Sequence, residues 1–453
     1  MRQLLLTLVF TFNGLILNVT AEDWPQWRGP ARDGICKEQG LLREWPKDGP
    51  PLIWEQHDLG TGYSTPAIAN GRIFLISNKG LDDEYVQALN EKDGKQIWTT
   101  HIGKVGNPDQ QPNYPGARST PTVDGDTVYA LGSDGDLSCL SAGDGKVKWK
   151  KNLRTDFGGE PGVWAYSESP LVDGDALVVT PGGDEATMLK LYKKDGSVIW
   201  KGHPEPKKSD EDANAQPNKK QKRNAAGYSS IVKFNAAGKQ QYIQLLGGGL
   251  IGVDAATGKF LWLYDRTSKG SPANIATPVC ADDCVYSGTQ YTGGGLIKLS
   301  PDGDGVKDEE VYFEKKLPRA IGGEVLHDGD LYGTSKEQTQ CLDFKTGEVK
   351  WSKDHGIAPA SLLYADNRLY LHGEEQGDVM LLEASPAGYK ELGHFTPSDL
   401  PTDRVGKSWA YPVIANGRLY IHDWGKLWCF DLKANGGEKA ASRPPAATTP
   451  SRN

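Results

Sequence analysis

The chain has few methionines and no long apolar pattern of helical period. It contains 3 Met among 453 residues, against 55 Gly and 13 Trp. Core-facing helices show apolar residues three and four positions apart over ten or more residues. The lack of such segments and the abundance of glycine and tryptophan exclude a helical bundle and predict an all-β protein of sheets and turns.

Histidine is also sparse, and the spacing of histidines and cysteines excludes several kinds of site. None of the 8 His forms a His-x-x-x-His pair, and the sequence has no Cys-x-x-Cys-His motif. These patterns are typical of zinc centres and of covalently attached haem. No glycine-rich stretch has the spacing of a phosphate-binding loop. The sequence therefore indicates none of these three kinds of site.

The 6 cysteines are few for a disulfide framework. Cys139, Cys341 and Cys429 take the same place in a repeated unit described below, so they cannot meet one another. We expect them to be small core residues. Cys280 and Cys284 flank a predicted tight turn and could form a disulfide, which would leave Cys36 unpaired.

Residues 1–21 have the organisation of a secretory signal peptide. Arg2 precedes an apolar run over residues 4–16, and residues 19–21 (Val-Thr-Ala) form a small-residue cleavage site. A permanent membrane span is the alternative, but the run is short and contains Asn13. The residue directly after the cleavage site is Glu22 rather than a cysteine that could accept a lipid. We expect a periplasmic or secreted protein with no transmembrane span after signal cleavage.

Acidic residues outnumber basic ones. The formal net charge is −8, and loss of Arg2 with the leader makes it −9. This balance favours solubility and argues against nucleic-acid binding. We expect a monomer.

Two segments lack the apolar residues that would anchor them to a core. Residues 201–225 carry mixed charges and are predicted to be a solvated loop, with partner binding as the alternative. Residues 434–453 are rich in Gly, Ala, Pro and Thr and are predicted to be a disordered tail. The folded domain is therefore expected to span residues 22–433.

A unit of four short strands recurs along the chain. Its clearest copy, residues 116–149, has alternating apolar residues broken by glycine turns and ends on Trp149. One such sheet cannot bury both of its faces, so neighbouring copies must cover them. Copies begin near residues 66, 121, 170, 230, 278, 324, 360 and 412. This count predicts eight copies; seven is the alternative, because the copies near residues 324 and 360 are the least regular.

The final copy is incomplete, and a matching strand lies near the other end of the chain. Residues 411–431 supply three strands, while residues 52–55 form a single strand ahead of the first full copy. A sheet completed from both termini closes a ring and removes exposed sheet edges. The sequence therefore predicts an eight-bladed β-propeller of four-stranded antiparallel blades, with the last blade closed by an N-terminal strand.

The last turn of the repeat carries a recurring signature. It reads D-A-A-T-G-K-F-L-W at residues 254–262 and D-F-K-T-G-E-V-K-W at residues 343–351. Glycine after Thr or Asp suits a tight hairpin, and the tryptophan is large enough to pack against the next blade. Across residues 52–433 this signature resembles the pyrroloquinoline-quinone (PQQ) repeat. The segment W-P-Q-W-R-G at residues 24–29 resembles the N-terminus of many exported PQQ-like propellers.

The resemblance implies two classes of function. PQQ-like repeats occur in eight-bladed quinoprotein alcohol dehydrogenases and in non-enzymatic propellers similar to the outer-membrane assembly factor BamB. A dehydrogenase would need PQQ in the axial channel, a calcium ion held by Glu, Asn and Asp side chains, and a catalytic Asp. Such enzymes often carry adjacent cysteines, which this sequence lacks. We expect a binding scaffold for another envelope protein or a small ligand, with a PQQ-dependent alcohol or sugar dehydrogenase as the alternative.

The predicted turns divide the propeller into two faces. Short glycine turns lie on one face, and the long connections between blades lie on the other, where binding sites are common. Candidate residues on these connections are Tyr114, Arg118, Trp164, Tyr166, Glu168, Tyr228, Asn274, Arg319, Glu324, Lys407, Trp409 and Tyr411. They are expected to hold a flat ligand or a peptide; the alternative is that they only cap the channel and pair among themselves.

One acidic turn resembles a calcium-binding loop. Residues 300–308 read S-P-D-G-D-G-V-K-D, which is similar to D-x-D-x-D-G-x-x-D with Ser in the first place. Asp302, Asp304 and Asp308 could place oxygens around one structural calcium ion. An acidic turn without a metal is the alternative, because the first ligand is weak and a twelfth-position Glu is missing.

Overall fold

The computed structural model describes residues 22–111, 114–202, 223–269, 271–319, 322–336, 338–354, 356–401 and 407–433. The predicted signal peptide, the predicted tail and most of the charged loop at residues 201–225 lie outside the described residues. No helix in the described ranges is both long and apolar enough to cross a membrane.

Two short strands precede four regular blades, each of which is an antiparallel sheet with its strands in chain order. The early strands are β1 (Ile35–Cys36) and β2 (Leu52–Gln56). Blades 1 and 2 comprise β3 (Ala67–Ala69), β4 (Arg72–Lys79), β5 (Asp83–Asn90), β6 (Gln96–Gly103), β7 (Thr122–Asp124), β8 (Thr127–Leu131), β9 (Asp136–Ser141) and β10 (Val147–Asn152). After helix α1 (Leu153–Phe157), blades 3 and 4 comprise β11 (Leu171–Asp173), β12 (Ala176–Val179), β13 (Met188–Tyr192), β14 (Val198–Gly202), β15 (Val232–Ala236), β16 (Lys239–Leu245), β17 (Leu250–Asp254) and β18 (Phe260–Tyr264).

Four further blades complete the ring, and the last two also use the early strands. Blades 5 and 6 comprise β19 (Val279–Ala281), β20 (Cys284–Thr289), β21 (Gly293–Asp302), β22 (Gly305–Glu314), β23 (Glu324–His327), β24 (Asp330–Thr334), β25 (Gln338–Asp343) and β26 (Val349–Asp354). Blades 7 and 8 comprise β27 (Ala360–Ala365), β28 (Arg368–Gly373), β29 (Val379–Glu383), β30 (Glu391–Phe395), β31 (Val413–Ala415), β32 (Arg418–Asp423) and β33 (Lys426–Asp431).

The eight-bladed propeller predicted from the repeats is confirmed, including the two irregular copies that favoured a count of seven. The N-terminal strand β2 pairs antiparallel with β33, with Leu52 opposite Phe430 and Trp54 opposite Cys429. Blade 8 is therefore closed by both ends of the folded chain, as the sequence predicts. An addition that was not predicted is β1, which pairs in parallel with the inner strand of blade 7.

Aromatic side chains on the outer strands join several blades to the next one. The indole N–H of Trp98 donates to the carbonyl oxygen of Ala142 in blade 2 over 3.1 Å. The same ring covers the closing-turn glycine of that blade, since a Cβ built on Gly145 would lie 2.6 Å from Trp98. Equivalent contacts join Trp149 to Lys193, Trp351 to Ser385 and Trp54 to Glu91.

Blade 5 departs from this pattern because its closing turn is replaced by a longer hairpin. Trp262 of blade 4 instead donates to Gln241 of its own blade over 2.6 Å. In blade 5 the wedge position is held by Tyr312, whose hydroxyl donates to the carbonyl oxygen of Phe344 in blade 6. The Phe344 carbonyl is equivalent to the Ala142 carbonyl that Trp98 contacts, so Tyr312 maintains the contact between blades 5 and 6.

The Ser and Thr residues at the start of the inner strands join neighbouring blades around the axis. Backbone N–H groups donate to their hydroxyls from Thr120 to Ser169, from Ser169 to Ser230 and from Tyr411 to Thr65. These bonds explain why the repeats open with Ser or Thr, because an aliphatic residue would leave buried N–H groups without an acceptor.

Residues 23–36, here called the plug, occupy the axial channel and enter it at the tight-turn face, where the Asp23 carboxylate accepts from the backbone N–H of Asn70. Trp24 pairs its backbone with Ile68 of blade 1, and Val123 of blade 2 donates to the carbonyl oxygen of Pro25. The Trp27 indole donates to the Thr277 hydroxyl of blade 5 over 2.9 Å. The channel is therefore closed to passage along its axis.

Two buried arginines secure the plug. Arg32 donates to the carbonyl oxygens of Ser169 and Pro170 over 2.8 and 3.0 Å. Arg28 donates to the carbonyl oxygens of Asp33 and Glu324. Guanidinium groups can satisfy several carbonyls at once because their donors are arranged as a planar fork.

The six cysteines are all free. Cys139, Cys341 and Cys429 are buried, as predicted. The disulfide considered between Cys280 and Cys284 is not formed. Cys284 lies opposite Ala281 and Cys280 lies opposite Val285, so side-chain alternation places the two thiols on opposite faces of the sheet.

The acidic turn gives no support to the predicted calcium site. Residues 300–308 continue a regular hairpin in which Asp302 pairs with Gly305 and Leu299 pairs with Asp308. Asp304 lies in the two-residue turn, so the three carboxylates are spread along a ladder. Within the described ranges, no three His, Cys, Asp or Glu side chains come close enough to hold a metal ion.

The contact between Trp98 and Gly145 predicts a graded effect of alanine substitution. Gly145 and Gly125 are both in blade 2 and both have positive φ, +73° and +58°, but only Gly145 is covered by a ring. We expect Gly125→Ala to lower the free energy of unfolding by about 1–2 kcal/mol, because alanine is strained at positive φ. Gly145→Ala should lower the free energy of unfolding by about 1–3 kcal/mol more, because its methyl group would overlap the Trp98 ring. Urea denaturation measures both, and equal losses would contradict the blade-locking role of Trp98.

Candidate functional site

One position per blade forms a ring around the axis on the long-loop face. It is the residue two places before the Ser, Thr or equivalent residue at the start of the inner strand. In seven blades this residue lines one cavity of about 270 Å³, here called the axial cup: Tyr63, Arg118, Ser167, Tyr228, Ile275, Gly322 and Trp409. The repeat therefore builds the cup, and substitutions at one position determine its chemistry.

The long loops and the plug complete the cup. Tyr114 and Trp164 come from the loops that lead into blades 2 and 3, and Glu374 comes from blade 7. Trp27 of the plug lines the cup together with Tyr411 and forms its floor. The plug therefore closes the cup on the side away from the long loops.

Aromatic rings dominate the wall and pack edge to face. Trp409 lies between Tyr63 and Tyr114, with ring centroids 4.7 and 5.1 Å away. On the floor, the Trp27 and Tyr411 rings are 4.5 Å apart. Tilted and edge-to-face contacts of this kind hold the rings in a fixed arrangement. The cup is thus a largely preformed apolar surface with polar groups set into it.

Arg118 is the principal cation of the wall. Its guanidinium lies 5.3 Å from the centre of the Tyr63 ring and donates to the carbonyl oxygens of Gly116 and Tyr114. No carboxylate in the described part of the chain lies within ion-pair distance of it. Burial lowers the pKa of Arg118, yet a guanidinium remains protonated at neutral pH.

Two further charged groups stand at the opposite side of the cup. The Glu374 carboxyl is buried, and burial raises its pKa above the ordinary value although Trp409 and Lys407 act in the other direction. Lys407 donates to Glu375 outside the wall. The net positive contribution to the cup therefore comes from Arg118.

The structure brings together part of the predicted set. Of the residues expected to bind, the cup contains Tyr114, Arg118, Trp164, Tyr228, Lys407, Trp409 and Tyr411. The remaining candidates are Tyr166, Glu168, Asn274, Arg319 and Glu324, none of which lines the cup.

Side-chain alternation explains two of these departures. Tyr166 and Glu168 flank the wall residue Ser167, so both point away from the axis. The Tyr166 hydroxyl donates to the carbonyl oxygen of Pro181, and Glu168 accepts bonds from the backbone N–H and the hydroxyl of Thr180.

Asn274 and Glu324 also have structural surroundings. The Asn274 amide donates to the carbonyl oxygens of Leu246 and Gly247. Glu324 is buried beside Arg28 of the plug. Arg319 is half-buried, and its backbone N–H donates to the carbonyl oxygen of Thr334. These contacts position the loops and the plug below the cup.

Sequence analysis missed Tyr63, Ser167 and Trp27 as wall and floor residues. A signal for the first two was present, because both stand two places before the Ser or Thr that opens a repeat. Trp27 had no such signal, since the plug lies outside the repeat and only the folded chain places it in the channel.

The cup does not fit a calcium-bound quinone. Calcium takes six to eight oxygen ligands, usually with several carboxylates. The wall offers one carboxylate, Glu374, and both oxygens of Glu168 accept hydrogen bonds from Thr180. We therefore derive no redox step for this protein.

Comparison with known proteins places the chain in a family. A family model described as outer membrane protein assembly factor BamB matches residues 37–162 and 82–353. The chain belongs to this family. BamB of Moranella endobia is 32% identical over 282 residues, which are 62% of this chain and 61% of that protein. BamB of Salmonella typhimurium is 28% identical over 141 residues, 31% of each chain.

Solved structures show the same fold. BamB from Moraxella catarrhalis matches with a TM-score of 0.59 and 13% identity, over 84% of this chain and 99% of that one. A quinohemoprotein alcohol dehydrogenase from Comamonas testosteroni matches with a TM-score of 0.64 and 15% identity, over 94% and 83%. These TM-scores show a common propeller fold, and the PQQ-like, BamB-like resemblance inferred from the repeats is confirmed.

Buried Glu168 predicts a pH-dependent stability. Burial raises its pKa from 4.5 to about 8. A carboxyl whose pKa is higher in the folded state stabilises the fold at low pH, and this contribution is lost as pH rises from about 5 through 8. Glu168→Gln should make the free energy of unfolding fall less steeply over that range, by up to about 1.4 kcal/mol per pH unit. The exposed Glu44→Gln serves as control, and identical slopes for both variants would contradict the prediction.

Proposed function

We infer that this protein is an exported, non-enzymatic binding module that docks another envelope protein on its long-loop face. The observation that carries the proposal is the axial cup, a rigid aromatic recess beside a half-buried arginine. Aromatic and arginine side chains dominate the binding energy of protein interfaces. Family membership supports the predicted periplasmic or secreted location, since the relatives are named as outer membrane assembly factors.

The surface around the cup is suited to a partner broader than a small molecule. A wider depression of about 580 Å³ lies beside it, lined by residues 107–110 and 159–163 of the same loops. Tyr291, 61% exposed, stands at the rim of the cup. The two recesses share one face, so a single partner can contact both.

The regions that match the relatives are partial. The chain spans 31% of the length of the Salmonella relative and 61% of the Moranella relative. We therefore propose the same broad role, assembly with another protein, and a monomeric propeller as the binding unit.

Site-specific photocrosslinking tests the docking face. A photoreactive phenylalanine analogue at Tyr291 should capture one envelope protein from intact cells. The same analogue at Tyr192, which is 43% exposed at the end of β13 and away from the cup, is the matched control. Capture of the same protein at both positions, or at neither, would contradict docking on the long-loop face.

The lack of a calcium ligand set gives a second expectation. Purified protein supplied with PQQ and Ca²⁺ should not reduce an artificial electron acceptor with alcohols or sugars as substrates. The assay measures dye bleaching against a protein-free control. Sustained turnover would favour the dehydrogenase alternative over the binding module.

A further inference from the structure

The size of the axial cup limits what it can receive. Pockets for small molecules and cofactors usually measure roughly 300–1,000 Å³, whereas this cup measures about 270 Å³. Eight aromatic side chains contribute to its surface: Trp27, Tyr63, Tyr114, Trp164, Tyr228, Tyr291, Trp409 and Tyr411. A recess of this size and composition suits one or two side chains of a protein segment.

The charge of the cup selects among such segments. The Arg118 guanidinium lies over the Tyr63 ring, and two of its donors are engaged by the carbonyl oxygens of Gly116 and Tyr114. A guanidinium has five N–H donors, so donors remain for an incoming acceptor. Carboxylates match the planar fork of arginine in geometry and charge.

This local charge contrasts with the rest of the molecule. The chain carries a formal net charge of −8, which repels acidic surfaces at long range. Arg118 has no ion-paired carboxylate among the described residues. It therefore attracts negatively charged groups locally, although the protein as a whole is acidic. Such a combination makes binding depend on insertion of the correct group, because contact elsewhere is unfavourable.

We propose that the cup recognises a segment of the partner protein in which an Asp or Glu adjoins an aromatic side chain, with the carboxylate on Arg118 and the ring against Trp409. This inference rests on the proposed function and adds the chemistry of the partner. The ring would bury apolar area against Trp409 and Tyr63, and the carboxylate would meet a guanidinium already held in place by backbone carbonyls. Preorganisation of this kind reduces the entropy cost of binding.

Two capped dipeptides of matched shape test the proposal. N-acetyl-Asp-Phe-amide and N-acetyl-Asn-Phe-amide differ by one charge, and tryptophan fluorescence of the full chain reports binding at millimolar concentrations. We expect the Asp peptide to bind about tenfold more tightly, as a charge-assisted hydrogen bond predicts. Equal affinities, or no binding by either peptide, would overturn the proposal.

Variants of the protein assign the preference to Arg118. Arg118→Met should abolish the difference between the peptides, while the exposed Arg43→Met should leave it unchanged. Should Arg118→Met not fold, Ser167→Asp provides a second test, because it adds a carboxylate to the wall and leaves the backbone bonds of Arg118 intact. It should weaken the Asp peptide more than the Asn peptide. A preference that survives in the folded variants would overturn the role of Arg118.

Two outcomes separate this inference from the proposed function. If crosslinking at Tyr291 captures a partner but the peptides bind equally, the docking face stands and the acidic group is wrong. Free 3-phenylpropionate supplies the same carboxylate and ring without a peptide backbone. If it binds more tightly than the Asp peptide, the cup is a small-molecule site and the assignment to a protein segment is overturned.

Discussion

The pairing of β2 with β33 is the contact on which the ring depends. Each blade buries its faces only against its neighbours, so an open ring would expose the two faces at the gap. The closing strand also supplies Trp54, whose indole donates to the carbonyl oxygen of Glu91 in blade 1. One short strand therefore completes a sheet and also provides the wedge between the last blade and the first.

The plug precedes the closing strand in the chain, so the same end of the folded domain closes the ring and determines access to the axis. Its arginines bond to carbonyl oxygens of the inner strands, and Trp27 ends as the floor of the cup. A channel filled in this way is a packed core toward the tight-turn face and a recess toward the other. The result is a recess rather than a pore, and seven blades each contribute one repeat position to its wall.

The candidate site was predictable in part, and the residues show why. Arg118, Tyr228 and Trp409 stand at the repeat position that faces the axis, whereas Glu168 and Asn274 are one place away and face the blades. The sequence identified the correct loops, but a shift of one residue along a strand exchanges the axis for the core. The position two places before the Ser or Thr of each repeat distinguishes the residues that face the axis from those that face the blades.

The sequence by itself determined the all-β class, the blade count and the closure by β2, because these follow from periodicity and from strands that need partners. It also indicated which face carries the long loops, since glycine turns and long loops separate along the repeat. Tertiary structure decided the rest: the plug in the channel, the free cysteines and the convergence of Arg118 with Trp409. These depend on contacts between residues far apart in the chain, and no local pattern encodes such distances.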